Sequence, residues 1–281
     1  MVVQHNLQAA NTNRMLGSNV KAVSKSTEKL SSGYAVNRAA DDAAGLSISE
    51  KMRNQIRGIN QSVKNAEDGV SLIQTAEGNM GEIHSILQRM GELATKAAND
   101  VNAKEDRKAI QDEINELAAE IDSISSKAAF NGTKLLNGSF KGKHLQVGAN
   151  KGENMLISIA TMNCKKLLGS TGAEIAAGPN NKLSMSTHEQ AGKAMSKISN
   201  AIKDVSAARS ALGAKQNRLE YTIDNLENYS ENLTSAESQI RDTDMATEMT
   251  NYTKNNILQQ AAQSMLAQAN QSTQGVLSLL Q

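Results

Sequence analysis

The chain of 281 residues has no tryptophan, two phenylalanines, four tyrosines, one proline and one cysteine. Aromatic side chains supply much of a compact core, so a catalytic globular domain of this size is a poor fit. With Pro179 as the one proline, nearly the whole chain is free to be helical, and packing must come from Leu, Ile, Val, Met and Ala. A net charge of +1 gives no field of one sign to draw the chain to nucleic acid or to a membrane surface. The lone Cys164 excludes an internal disulfide framework. No run of about 18 apolar residues occurs, so no membrane insertion is expected. The opening Met-Val-Val-Gln-His-Asn lacks a basic region followed by an apolar one, so no cleavable secretion signal is expected. A chain that leaves the cell with this beginning needs a route that reads something else.

What the sequence does have is heptad spacing. Leu16, Val20, Val23, Thr27 and Leu30 alternate by four and three, and Gly33 offers a helix stop. A longer run follows Asp41-Asp42: Met52, Ile56, Ile59, Val63, Ala66, Val70 and Ile73. It resumes as Met80, Ile83, Leu87, Met90, Ala94 and Ala97, with one phase change near Glu77. A helix of about 55 residues is roughly 80 Å long and needs partner helices along it. After a polar break at Asn99 to Asn102, a third helix is read from Ile110, Ile114, Leu117, Ile121 and Ile124.

The next region changes character. Asn131-Gly132 and Asn137-Gly138 are turn dipeptides. Leu145 and Val147, then Met155, Ile157 and Ile159 beyond the Gly148–Gly152 loop, alternate with polar neighbours and read as one or two β-hairpins. Cys164 to Met185, rich in Gly and without a period, reads as an exposed connector. Helix returns with Ile198, Ile202, Val205, Leu212, Leu219, Ile223, Leu226, Leu233 and Ile240, and a last helix carries Met245, Met249, Tyr252, Leu258, Ala262, Met265 and Ala269. The fold class is mainly α: a long antiparallel coiled-coil or helix-bundle rod with a small β-hairpin region at its tip.

Both ends are nearly free of charge. No Asp, Glu, Lys or Arg occurs from Asn255 to Gln281, and Arg14 is the one formal charge from Met1 to Val20. A solvated helix gathers charge on its outer face, whereas these suit being surrounded by protein, where a buried unpaired charge would cost several kcal/mol. Leu16, Val20, Val23, Leu30, Leu258, Ala262, Met265 and Ala269 are the expected assembly core. One pair of short helices cannot enclose itself, so a lone copy should hold its ends weakly, and many copies could bury them together.

No constellation for catalysis, metal or cofactor stands out. His188-Glu189-Gln190-Ala191-Gly192 begins like a zinc-protease helix but has Gly192 where the second His is needed. Ser26-Thr27-Glu28-Lys29 fits a serine–lysine spacing without companion motifs, and capping or solvated roles are expected for it. Asp41-Asp42 read as a cap for the helix at Ala43. Cys164 reads as an incidental thiol of the connector.

Several stretches, taken together, resemble bacterial flagellin: Glu28-Lys29-Leu30-Ser31-Ser32-Gly33, Asn37-Arg38-Ala39-Ala40-Asp41-Asp42-Ala43-Ala44-Gly45, Asn65-Ala66-Glu67-Asp68-Gly69 and Gln74-Thr75-Ala76-Glu77-Gly78. So do Leu87-Gln88-Arg89-Met90-Gly91-Glu92-Leu93-Ala94, Phe130-Asn131-Gly132, Ser238 to Ala246, Ala267 to Gln271 and Val276 to Leu280. They run in the family's order over about five-sixths of the chain.

The resemblance implies a terminal coiled-coil domain, here 1–44 with 236–281, and an outer helical domain, 45–235, with hairpins at about 130–160 and a short variable connector at 164–185. It is similar to a short flagellin without large outer domains. It implies self-assembly into an extracellular flagellar filament for swimming, export unfolded through the flagellar type III apparatus, and a flagellin chaperone on the C-terminal helix. Hook-associated and cap proteins are further implied partners. It also implies that a flagellin-sensing Toll-like receptor of a host meets Arg89, Leu93 and Glu113, a surface the family also uses for subunit packing. A hook–filament junction protein shares such ends but normally diverges in the Leu87–Ala98 and Ser238–Ala246 motifs. A coiled-coil signalling rod would carry a membrane anchor and an unbroken helical tip.

Overall fold

The computed structural model describes residues 6–170 and 183–278, with side chains to residue 271. The chain divides into two compact units, 1–56 with 231–281, and 57–230. The divisions fall inside two long helices, Ala43–Ala97 and His188–Arg241. Among the described residues there are six helices and two antiparallel strand pairs, so the mainly α expectation holds.

The first unit contains α1 (Leu7–Ser32), the start of α2 (Ala43–Ala97), the end of α5 (His188–Arg241), and α6 (Met245–Ser278). Each boundary has a chemical cause. Asn6 caps α1 by accepting from the Ala9 amide at 2.9 Å, and Gly33 ends it in the left-handed region at φ 77°, its N–H returning to the Lys29 carbonyl. Asp42 caps α2 through the Ala44 and Gly45 amides, as its position before Ala43 predicts. Asp244 accepts from the Ala246 and Thr247 amides and from the Thr247 hydroxyl, starting α6. The arms α1 and α6 run antiparallel: Asn6 Nδ2 donates to the Ala269 carbonyl at one end, and the Ala35 amide to the Arg241 carbonyl at the other.

The second unit contains the rest of α2, α3 (Lys104–Lys127), β1 (Ala129–Phe130), β2 (Thr133–Lys134), β3 (Lys143–Gln146), β4 (Asn154–Ile157), α4 (Cys164–Leu168) and most of α5. α2 is 55 residues long, as its periodicity requires. Its buried line is Ile59, Ser62, Ala66, Gly69, Ile73, Ala76, Met80, Ile83, Leu87, Met90, Ala94 and Ala97, an unbroken three-four alternation. The phase change expected near Glu77 is absent, because Ser62 and Gly69 hold seam positions that an apolar pattern does not count. Gly69, and Gly58 beside the line, are small for a reason. A Cβ on Gly69 would lie 2.5 Å from Leu145 Cδ2, and one on Gly58 would lie 2.9 Å from Ala149 Cβ, so the β3–β4 hairpin rests where α2 has no side chains.

α5 lies antiparallel to α2 in this unit, with Arg209 on Glu77, and Ser230 on Asn60. Asn131 (φ 45°) and Gly132 (φ 76°) form the two-residue turn of β1–β2, as the dipeptide predicts. Asn137-Gly138 is not a hairpin turn; Asn137 Oδ1 instead accepts from the Ser139 amide and hydroxyl. The alternation around the Gly148–Gly152 loop gives the β3–β4 hairpin, with Leu145 opposite Met155.

The exposed connector is corrected at both described ends. Cys164, Leu167, Leu168, Leu183 and Met185 are all buried in the core, and α4 turns there. Their spacing is too short to show a period, but their apolar character is what closes this end of the core. Residues 171–182 of the connector lie outside the described residues.

Candidate assembly surface

The α1–α6 pair leaves much of its apolar surface outside its own seam. The α1 positions turned toward cover are Ala9, Thr12, Leu16, Asn19, Val23, Ser26 and Leu30, and those of α6 are Glu248, Tyr252, Asn255, Gln259, Ala262, Leu266 and Ala269. Both lines keep strict three-four spacing, yet half of their members are polar. Leu16, Val23, Leu30 and Leu266 lie on the seam, but more of the large apolar side chains point the other way. Leu7, Met15 and Val20 on α1, and Met245, Met249, Ile257, Leu258 and Met265 on α6, are exposed.

The expected core residues therefore separate. Leu16, Val23, Leu30, Ala262 and Ala269 lie on the intrachain seam, whereas Val20 (44% exposed), Leu258 (42%) and Met265 (56%) lie off it. Val20 and Thr27 also leave the seam expected for α1, which passes through Asn19 and Ser26. Ser26 is buried on that seam and not solvated, and Thr27 Oγ1 donates to the Val23 carbonyl. An apolar template picks Val20 because it counts only aliphatic side chains. Admitting Ala, Ser, Thr, Asn and Gln as seam residues brings out the true line, and with it the exposed Leu7, Met15 and Ile257 that the sequence reading missed.

Charge is sorted along the same unit. Near the α1–α2 turn, Lys25 pairs with Asp41 at 2.8 Å and Arg38 with Glu28 at 2.8 Å. The Lys25 hydrogen bond holds the Asp41 carboxyl below the usual carboxylate range. Arg241 pairs with Glu50 at 2.7 Å and sits over the Tyr34 ring, 4.8 Å from its centre. Toward the ends of the pair no ion pair occurs among the described residues, and Arg14 Nη2 donates to Asn11 Oδ1. Among the described residues, Leu7, Met15, Val20, Ile257, Leu258 and Met265 lie exposed in the charge-poor end stretches, while Met245 and Met249 lie in the charged start of α6.

In the second unit, Arg89 and Glu113 meet. Arg89 Nε and Nη2 donate to Glu113 Oε1 at 3.1 and 2.9 Å, and Nη1 donates to Glu92. Glu113 first, then Glu92, raises the Arg89 pKa above its ordinary value. Leu93 does not share this exposure: it is 4% exposed and belongs to the core. The pair borders a groove of about 330 Å³ that also includes Lys96 and Asp106.

The residues considered for chemistry have structural partners. His188 Nδ1 donates to the Ala98 carbonyl at 2.6 Å, fixing the start of α5, and Glu189 pairs with Lys193. The Cys164 amide donates to Asp122 Oδ1, and burial, with a smaller push from Asp122, raises the thiol to about 12. At that value it is not a nucleophile near neutral pH.

Comparison with known proteins agrees with this geometry. Residues 3–141 match the family model of the bacterial flagellin N-terminal helical region, and residues 195–280 that of the C-terminal helical region. The chain is 50% identical over 280 residues to a flagellin of Halalkalibacterium halodurans and 48% identical over 303 residues to a flagellin of Bacillus subtilis. It is 45% identical over 290 residues to the flagellar filament 33 kDa core protein of Treponema phagedenis. Each alignment covers 100% of both chains.

Proposed function

Because the chain belongs to the bacterial flagellin family, we propose that it builds a flagellar filament by burying the outward aliphatic faces of α1 and α6 against other copies of itself. The outward apolar faces of this pair carry the reading. In a pair meant for water, Leu, Ile and Met would take the seam and polar side chains the outside. Here the seam mixes Leu16, Val23, Leu30 and Leu266 with amides and hydroxyls, and the apolar burial still available lies outward. Burying a Leu, Ile, Val or Met side chain is worth about 1.5–3 kcal/mol, so eight such residues per copy are a large drive toward association. The protein works as a structural subunit, not as an enzyme.

The chain reaches the filament unfolded, through the flagellar type III export apparatus. A flagellin chaperone covers the apolar face of the C-terminal helix until then, and the hook-associated and cap proteins meet the subunit at the ends of the growing polymer. The charge-free stretch from Asn255 supports this order of events, since such a helix needs cover before it has sister copies.

A flagellin-sensing Toll-like receptor of a host recognises the Arg89–Glu113 surface. The support is its exposed ion pair; Leu93, being buried, acts there by shaping the support beneath the pair. Arg89→Ala should weaken receptor signalling in a matched-dose cell assay, and unchanged signalling would reject the receptor role.

Assembly is tested by deleting residues 255–281. The second unit should stay folded by circular dichroism while electron microscopy shows no filaments after seeding. Filaments of ordinary length from the truncated chain would overturn the assembly reading.

A further inference from the structure

The twelve methionines fall into unlike classes. Met80, Met90, Met155, Met162 and Met185 are buried in the second unit. Met15, Met245, Met249 and Met265 are 49–56% exposed, and all four lie on the outward faces of α1 and α6. We propose that these four methionines are sites of reversible oxidation by peroxides, and that their sulfoxides prevent the subunit from joining the polymer. This rests on the assembly reading above.

The chemistry needs only hydrogen peroxide or an organic hydroperoxide. The thioether sulfur attacks the distal peroxide oxygen; an S–O bond forms as the O–O bond breaks. Sulfur gives up two electrons, and the leaving oxygen takes a proton to become water or an alcohol. Susceptibility follows exposure, so the free subunit is attacked at Met15, Met245, Met249 and Met265 before the core positions. The product is a polar, chiral side chain with a strong acceptor oxygen.

That change matters more here than on an ordinary surface. The free chain tolerates the sulfoxide because water solvates it. A face awaiting burial does not, because the new acceptor must lose its water or find a donor. Four helical neighbours of Met265 on α6, Leu258, Ala261, Ala262 and Ala269, have no side-chain donor. Met245 and Met249 are four apart on α6, so their two oxygens fall on one face. Oxidation therefore acts on unassembled chains, and assembled ones are shielded.

The test uses the full-length chain. Monomer is treated with hydrogen peroxide to partial oxidation and seeded, and filaments are separated from leftover monomer. Sulfoxides are mapped in each pool by peptide mass spectrometry. The account expects sulfoxide at Met15, Met245, Met249 and Met265 to be severalfold depleted in filaments relative to leftover monomer, and repair by methionine sulfoxide reductases to return the leftover pool to growth. Equal sulfoxide at these positions in both pools would overturn it, as would leftover monomer that stays inert after complete repair. Untreated monomer that never polymerises would sink the assembly reading itself, and the proposal with it.

Discussion

The backbone amide of Ala35 donates to the carbonyl of Arg241 at 2.7 Å, joining the loop after α1 to the end of α5. A second bond, from the Thr243 amide to the Gly33 carbonyl, lies beside it. The Arg241 side chain lies over Tyr34 and pairs with Glu50, so one residue ties three segments of the first unit together. Arg241→Ala should remove the ring contact and the ion pair while leaving the backbone bonds possible. With a cation–π contact worth about 0.5–2 kcal/mol, the expected outcome is faster hydrogen exchange at the Ala35 and Thr243 amides and little change in the second unit. Unchanged exchange at both amides would show that the backbone bonds hold alone.

Two glycines of α2 should respond oppositely to the same substitution. A Cβ on Gly91 meets only Ile198 Cγ2, at 3.8 Å, an ordinary contact. Gly91→Ala should therefore stabilise the second unit by up to about 1 kcal/mol through helix propensity. A Cβ on Gly58 would lie 2.9 Å from Ala149 Cβ and 3.4 Å from Ala149 Cα, atoms that no rotamer change can move. Gly58→Ala should be net destabilising, because overpacking costs about 1–3 kcal/mol. Thermal unfolding of both variants checks the signs.

Asp244 makes the start of α6 sensitive to acid. Hydrogen bonds from the Thr247 hydroxyl and amide, then from Ala246, lower its pKa below the ordinary 3.8. A carboxylate with a depressed folded pKa contributes stability above its unfolded value, and that contribution fades as pH falls through the folded one. Asp244→Asn keeps a cap acceptor and removes the charge. Wild type should be more stable than this variant at pH 6, and the difference should vanish well below pH 3.8. Denaturant unfolding at several pH values measures it.

Cys164 should behave as a core residue. Its thiol, raised to about 12 by burial, should resist an aromatic disulfide reagent at neutral pH and react fully once the chain is unfolded. Rapid labelling of the native chain would contradict its place in the core.

The sequence carried much of this architecture. The length of α2, the Asn131-Gly132 turn, the Gly33 stop and the Asp42 cap all follow from local chemistry, and the structure has each of them. The seams were less legible. Gly69 continues the α2 line because Leu145 and Leu219 need room beside it, which no local pattern states. Val20 and Leu258 looked like seam residues because they are aliphatic, although Asn19 and Gln259 hold the seam. Cys164 and Met185 looked exposed because glycines surround the segment between them. In the candidate site, the charge-free ends point to α1 and α6, but which face of each terminal helix lies open, and that Arg89 pairs with Glu113, required the fold. The burial of Leu93 was hidden for the same reason.

The central claim is that the outward faces of α1 and α6 are kept apolar for burial by sister copies. Ile257, 61% exposed on α6, is its sharpest probe. Electron microscopy of seeded Ile257→Glu should show no filaments, while circular dichroism shows a folded subunit, because the charge is harmless in water and unpaired in the polymer. Filaments of wild-type length from this variant would contradict the account.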